Sequence, residues 1–263
     1  MTKETMPLYE EKAGQLEIQV YRTRQEMGAS AAEKVAQTMK ELIARQGRVR
    51  IIFASAPSQN EFIDELAQAE GIDWSLVTVF HMDEYIGLPA DAPQKFSTYL
   101  YDRLFRRVKP GGMHLIDGSG PSEEECRRYA ALLREEPIDI VCLGIGENGH
   151  LAFNDPPIAD FNDPVWMKPV ELDEVCRQQQ VNDGCFAHLA EVPARALTLT
   201  IPALFAGKRL FCIVPGRTKR QAVERALRGP ISTDCPASIL RTHPECTLFV
   251  DREAYGAESN DGT

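Results

Sequence analysis

Two polar clusters, each directly following an apolar run, carry the groups in this chain that could do acid–base chemistry. One is Gly144-Ile145-Gly146-Glu147-Asn148-Gly149-His150-Leu151-Ala152-Phe153-Asn154-Asp155, after Ile138-Asp139-Ile140-Val141-Cys142-Leu143. The other is Phe80-His81-Met82-Asp83-Glu84-Tyr85-Ile86-Gly87-Leu88-Pro89, after Leu76-Val77-Thr78-Val79. A short apolar run ending in glycines reads as a buried parallel strand that stops at a tight loop. In open α/β sheets ligands bind just beyond the carboxyl ends of strands. Asp83, Asn148, His150 and Asp155 therefore stand where a substrate would sit. Imidazole titrates near neutrality, and a nearby carboxylate can orient it and tune its pKa. The glycines, Gly146 among them, let backbone approach a ligand. The expected chemistry is proton transfer by carboxylate and imidazole, with no cofactor and no metal. Taken alone, a strand-end Asp more often caps a turn, and a loop His can be merely hydrogen-bonded. Two clusters at two strand ends favour catalysis. Glu84 and Tyr85 read mainly as structural, and His81, His114, His188 and His243 show no ligand spacing.

The elements that must position these groups follow from periodicity. Gln15 to Tyr21 alternates and suits an edge strand; Arg24 to Ala44 suits a long amphipathic helix. Core strands are expected at 49–54, 76–80, 138–143, 196–201, 209–214 and 246–250, with a short one at 114–117. Helices are expected from Asn60 to about Glu70, at 96–108 and at 218–227. Another opens at Ser122 with the capping-box spacing to Glu125. The proline-rich stretch 154–169 reads as a loop or lid over the site. Strands alternating with helices give an α/β fold, a three-layer Rossmann-like sandwich with a mostly parallel central sheet. Residues 1–253 read as a single domain, and 254–263 as a disordered polar tail.

Composition narrows the partners. The 263 residues, 43% hydrophobic and 26% charged, suit one globular domain. A formal net charge of −10 argues against nucleic-acid binding. No apolar run is long enough for a membrane span, and the amino terminus lacks a signal-peptide core. Seven cysteines without a CxxC pair read as reduced thiols of a cytoplasmic protein. A small anion remains an acceptable ligand, because a local positive site suffices to hold it. The helix opening after Ala54 is the candidate: free N–H groups and the helix dipole attract anions there, beside Ser55, Ala56, Ser58 and Gln59.

The segments MDEYIGLP and GIGENGHLAFNDP resemble the signature segments of the glucosamine-6-phosphate deaminase family in order and spacing, as do Val192-Pro193-Ala194-Arg195-Ala196-Leu197-Thr198 and Gly216-Arg217-Thr218-Lys219. The resemblance runs from about Ile51 to Asp251. It implies a three-layer fold and an aldose–ketose isomerisation with deamination of an amino-sugar phosphate. The implied reaction converts glucosamine 6-phosphate to fructose 6-phosphate and ammonia. Asp83 falls on the family's enolisation base, His150 on its ring-opening histidine, Asp155 on its supporting acid and Lys219 on its phosphate lysine. Three departures stand out. Asp155 is one methylene shorter than the usual Glu. Ala-Ser-Ala-Pro-Ser-Gln replaces a Gly/Thr-rich loop. The family's substrate arginine falls near Gly184, which leaves its role to Arg177 or another basic residue. Asn148 stands where some relatives have Asp; an amide is no base, but it can hold the histidine's tautomer. The alternatives are a 6-phosphogluconolactonase-type hydrolase, from the sister family, and a sugar-phosphate sensor without turnover. Self-association is left open.

Overall fold

Strands buried on both faces need unbroken apolar runs. Val49–Phe53 and Ile140–Leu143 are buried at every position and pair in parallel. The computed structural model describes residues 6–257. In chain order its strands are β1 (Tyr9–Ala13), β2 (Leu16–Tyr21), β3 (Val49–Phe53), β4 (Val77–His81), β5 (Asp83–Tyr85), β6 (Gly112–Met113), β7 (Ile140–Leu143), β8 (Met167–Glu171), β9 (Arg195–Leu199), β10 (Arg209–Val214) and β11 (Cys246–Asp251). Its helices are α1 (Arg24–Gln46), α2 (Asn60–Leu66), α3 (Phe96–Leu100), α4 (Arg106–Val108), α5 (Ser122–Arg134), α6 (Glu174–Asn182), α7 (Ile201–Phe205), α8 (Arg220–Arg228) and α9 (Arg252–Tyr255).

Eight strands form one sheet in the order β1-β2-β11-β10-β7-β3-β4-β6. Every pairing is parallel except the β1–β2 hairpin. Alternation along the strands splits the core into two layers. Val49, Ile51 and Phe53 face α1 and α2 with Met27, Val35 and Phe62. Ile52, Val141 and Leu143 face the other layer with Tyr129, Leu133 and Val223 of α5 and α8. This is the three-layer α/β sandwich with a mostly parallel sheet that the pattern of runs implied. From β3 the chain builds outward through β4 and β6; from β7 it builds the opposite way through β10 and β11. The loops leaving β3 and β7 therefore diverge, and a crevice opens between them.

Several expectations are corrected. The run 196–201 is not in the main sheet: β5, β9 and β8 form a separate antiparallel sheet, packed over Tyr85, Phe96, Phe153 and Phe186. Gln15 to Tyr21 is not the edge, because the polar β1 pairs outside it. No strand forms at 114–117; two residues, Gly112–Met113, pair with β4 instead. Ser122 does not cap α5, whose N-cap is Pro121; the Glu125 carboxylate accepts from Asp117 N and pairs with Arg128. Order also runs past residue 253, since Ala254 is fully buried and Asp251 caps α9. Residues 258–263 lie outside the described residues.

Helices α1 and α2 cross at Gly28, where an added Cβ would lie 2.6 Å from the Glu61 Cβ and 2.9 Å from the Phe62 backbone nitrogen. Backbone cannot yield cheaply, and overpacking of this kind costs about 1–3 kcal/mol. Gly28→Ala should lower the denaturant midpoint without changing the slope of the transition. An unchanged midpoint would show that the helices separate freely.

Candidate active site

Four neighbouring strands, β10, β7, β3 and β4, end on the same side of the sheet, and the loop after each supplies part of one cleft. The segment after β4, the start of β5, carries Asp83; the loop after β3 carries Ser55, Ala56, Ser58 and Gln59; that after β7 carries Gly146 and His150; that after β10 carries Lys219. Eight of the ten residues singled out from the sequence thus line one cleft, and the other two, Asn148 and Asp155, stand behind His150. A larger groove of about 660 Å³ at the amino ends of β10 and β11 is lined by Glu10, Glu17, Glu33, Glu41 and Glu245 and holds none of these groups.

His150 is held by its own loop. Asn148 Oδ1 accepts from His150 N at 3.0 Å and lies 2.8 Å from His150 Nδ1. Because that oxygen serves a backbone N–H, the amide nitrogen must face the other way. It donates to Asp155 Oδ1 at 2.8 Å, which itself lies 3.1 Å from His150 Nδ1. Two acceptors at Nδ1 place the ring proton there and leave the Nε2 lone pair on the cleft side. Burial pushes the Asp155 pKa up, but the His150 and Asn148 contacts outweigh it and hold the carboxyl below its usual value. The ring lies against Gly146, where any Cβ would sit 2.1 Å from it, so this position admits only glycine. Gly149, at φ 93, turns the loop back, and its carbonyl accepts from Ala237 N at 2.8 Å. Ala152 also lines the cleft, in the left-handed region at φ 49. Bonds from Asn154 Nδ2 to Leu151 O and Leu199 O, both 2.8 Å, hold that turn.

Asp83 is fixed by the small sheet, opposite Thr198 of β9. It is only 7% exposed, and among the described residues no cation pairs with it: burial first, then the Glu84 carboxylate, raise its pKa well above the ordinary carboxylate value. Glu84 points away from the cleft, accepting from Tyr85 N, Phe96 N, Ser97 N and Ser97 Oγ, and so ties β5 to the start of α3. His81 is no base here. Its Nε2 accepts from Ile116 N at 2.8 Å, and burial drives its pKa down to about 3.

The far end of the cleft carries a buried hydroxyl and a buried cation. Ser55 Oγ is buried without a hydrogen-bond partner, and Lys219 is 5% exposed, its pKa lowered by burial despite Asp183 and Glu147 nearby. Among the described residues Lys219 is the one Lys or Arg lining the cleft. Arg177 does not substitute for the absent arginine, because its guanidinium donates to the carbonyls of Leu189 and Val192. Gly184 has φ +75 and open space around it, a backbone state that an arginine adopts poorly.

Helix α6 covers the site, and this the sequence reading missed. Gln179 and Gln180 line the cleft, and Gln179 Oε1 accepts from Glu147 N at 2.8 Å. The run Gln178-Gln179-Gln180 beside Cys176 on one helix was the available signal. The stretch 154–169 is not the cover. Apart from Asp155 it leads away through turns, and from Met167 onward it joins β8.

The chain matches the family model described as glucosamine-6-phosphate isomerases/6-phosphogluconolactonase over residues 22–249. It is 33% identical to a glucosamine-6-phosphate deaminase of Listeria innocua over 226 residues, 85% of this chain and 94% of that protein. It is likewise 33% identical to glucosamine-6-phosphate deaminase 1 of Bacillus subtilis over 245 residues, 91% of this chain and 98% of that one. The solved structure of a monomeric glucosamine-6-phosphate deaminase superposes with a TM-score of 0.84 at 32% identity, covering 92% of this chain and 99% of its own. A 6-phosphogluconolactonase from Thermotoga maritima shares the fold at a TM-score of 0.74 and 21% identity, over 90% and 99%.

The raised Asp83 pKa has a thermodynamic sign. A carboxyl whose folded pKa exceeds its unfolded pKa is unpenalised below the unfolded value, and stability falls as pH rises through the folded value. Asp83→Asn should therefore raise the melting temperature at pH 7, with the gain vanishing below about pH 4. A variant no more stable than the parent at pH 7 would mean that the Asp83 charge is compensated.

Proposed function

The chain belongs to the family of glucosamine-6-phosphate isomerases and 6-phosphogluconolactonases, and from that premise we propose that it is an amino-sugar-phosphate deaminase. It converts glucosamine 6-phosphate and water to fructose 6-phosphate and ammonia. One observation carries this reading: an unpaired buried carboxylate, Asp83, and an oriented imidazole, His150, face one cleft whose far end holds Lys219 and the unpartnered Ser55 hydroxyl.

In this reading Nε2 of His150 takes the proton of the anomeric hydroxyl and returns it to the ring oxygen, opening the sugar. Asn148 and Asp155 hold the ring in the required tautomer and stabilise its charge when it is protonated. Asp83 then removes the proton from C2. It delivers that proton to C1, which leaves an iminium at C2; water adds there and ammonia departs. A carboxylate with a raised pKa is a stronger base than an ordinary one and takes the proton more readily. The phosphate dianion sits among Ser55, Ala56, Ser58 and Gln59 with Lys219 on the other side. Gln180 on α6 faces the same space and offers an amide in place of the absent arginine. The same reading treats residues 1–253 as one domain working in the cytoplasm. Supporting it, the cysteines are free, and among the described residues no helix is long and apolar enough to cross a membrane.

Purified protein should release ammonia from glucosamine 6-phosphate or its galacto epimer. Hydrolysis of a 6-phosphogluconolactone without ammonia release would select the lactonase reading, and tight binding without turnover the sensor reading. Asp83→Asn should lower turnover by roughly 10²–10⁴-fold while substrate still binds; near-normal turnover would remove Asp83 from the mechanism.

Lys219→Ala should weaken binding of phosphorylated sugars by about 1–3 kcal/mol and leave the unphosphorylated sugar unaffected. Equal losses for both ligands would place the anion elsewhere.

A further inference from the structure

Behind His150, on the side away from the cleft, lies a group that the proposed reaction does not use. Cys176 of α6 is 1% exposed. Its thiol, the Asp155 carboxylate and a His150 ring nitrogen all lie within 4.8 Å of one another. Asp155 is itself 2% exposed, and the Cys176 thiol lies within hydrogen-bonding reach of its carboxylate. One sulfur, one nitrogen and one oxygen donor thus converge behind the imidazole, all three residues buried.

The geometry points to a transition-metal site at Cys176 Sγ, His150 Nδ1 and Asp155, suited to Zn²⁺ and acting as an inhibitory switch on His150. Tetrahedral zinc takes this mixture of ligands at about 2.0–2.3 Å, which sets the donors roughly 3.3–3.8 Å apart. The present spread needs only a small contraction, and His150 Nδ1 already lies 3.1 Å from Asp155 Oδ1. Asn148 Oδ1 or a water completes four ligands. Charge also balances. The thiol releases its proton to solvent, so a dication meets one thiolate and one carboxylate and no net charge is buried. A soft sulfur ligand favours zinc over magnesium or calcium.

The consequence for His150 follows from its tautomer. Nδ1 carries the ring proton while it faces Asn148 and Asp155. Metal binding at Nδ1 requires that lone pair, so the proton moves to Nε2. The nitrogen facing the cleft then changes from acceptor to donor and no longer serves as a base, while Lys219 and the anion end are untouched. The metal therefore blocks turnover and spares substrate binding.

The direct probe is Co²⁺ added to the chelator-treated full chain. One equivalent should give a thiolate-to-cobalt charge-transfer band, displaced by Zn²⁺ and absent in both Cys176→Ala and Cys176→Ser. Two spectroscopic results would overturn the site: no band in the parent, or the same band in both variants, which would place the metal on another cysteine. In ¹⁵N-histidine spectra one of the five histidines should pass from the Nδ1–H to the Nε2–H form as Zn²⁺ is added; unmoved signals would refute the switch. If the ammonia-releasing activity is present, saturating Zn²⁺ should lower it at least tenfold with substrate affinity unchanged, and a chelator should restore it. Inhibition that persists undiminished in Cys176→Ala would also overturn the proposal. Failure of the deaminase reading would leave the cobalt and nitrogen signals standing.

Discussion

Two charges of opposite sign, Asp83 and Lys219, are withdrawn from water with no partner in contact among the described residues, and the architecture is arranged around that expense. Taking an ion out of water costs several kcal/mol even after the protein relaxes. An ordinary fold would bring the two together, as Lys208 and the buried Asp139 do at 2.8 Å. Here the sheet prevents it. Asp83 follows β4 and Lys219 follows β10, with β3 and β7 between them, so at the usual strand spacing their anchors stand about 14 Å apart. A small elongated ligand can touch both charges when neither can reach the other.

Holding a bare carboxylate in place needs a rigid frame, and the small antiparallel sheet provides it. Asp83 pairs across to Thr198, and the Thr198 hydroxyl accepts from Phe153 N at 3.0 Å. One strand of that sheet thus positions both the Asp83 segment and the loop that carries His150. Glu84, adjacent to Asp83, spends its carboxylate on four donors, Tyr85 N in its own strand and three at the start of α3. Consecutive acidic residues point in opposite directions because side chains alternate along a strand. One is therefore structural and fully satisfied, and its neighbour is free to react.

Much of this was legible in the sequence for a definite reason. The central strands are buried on both faces, which forces continuous apolar runs, and their carboxyl ends are marked by an abrupt change to glycine and polar residues. That change locates Asp83, His150 and the Ser55 loop without any tertiary information. What escaped was non-local or disguised. β1 reads as a polar loop because its Tyr-Glu-Glu-Lys-Ala is exposed almost throughout. The partnership of β5 with β9 depends on antiparallel pairing across more than a hundred residues, and β8 joins it from the other side, which periodicity does not record. The 196–201 run looks like any other core strand, since the small sheet buries it as fully as the large one. Cys176, Gln179 and Gln180 matter only because α6 folds back over the cleft; the glutamine run marks the helix as unusual but does not state where its polar side points.

The outer strand β1 has a further significance, for the behaviour of many molecules together. An open sheet edge is a template on which a second chain can add and a fibril can grow. At the far margin β6 is two residues long, too short to recruit a neighbour. At the near margin Glu10, Glu11 and Lys12 occupy the exposed strand, and their charges repel an incoming copy. Beside them β2 packs Leu16, Ile18 and Val20 into the core, and without β1 its backbone edge would be open. The hairpin thus acts as a guard against self-polymerisation, and its polar composition, the trait that hid it from a periodicity reading, is what fits it for that duty.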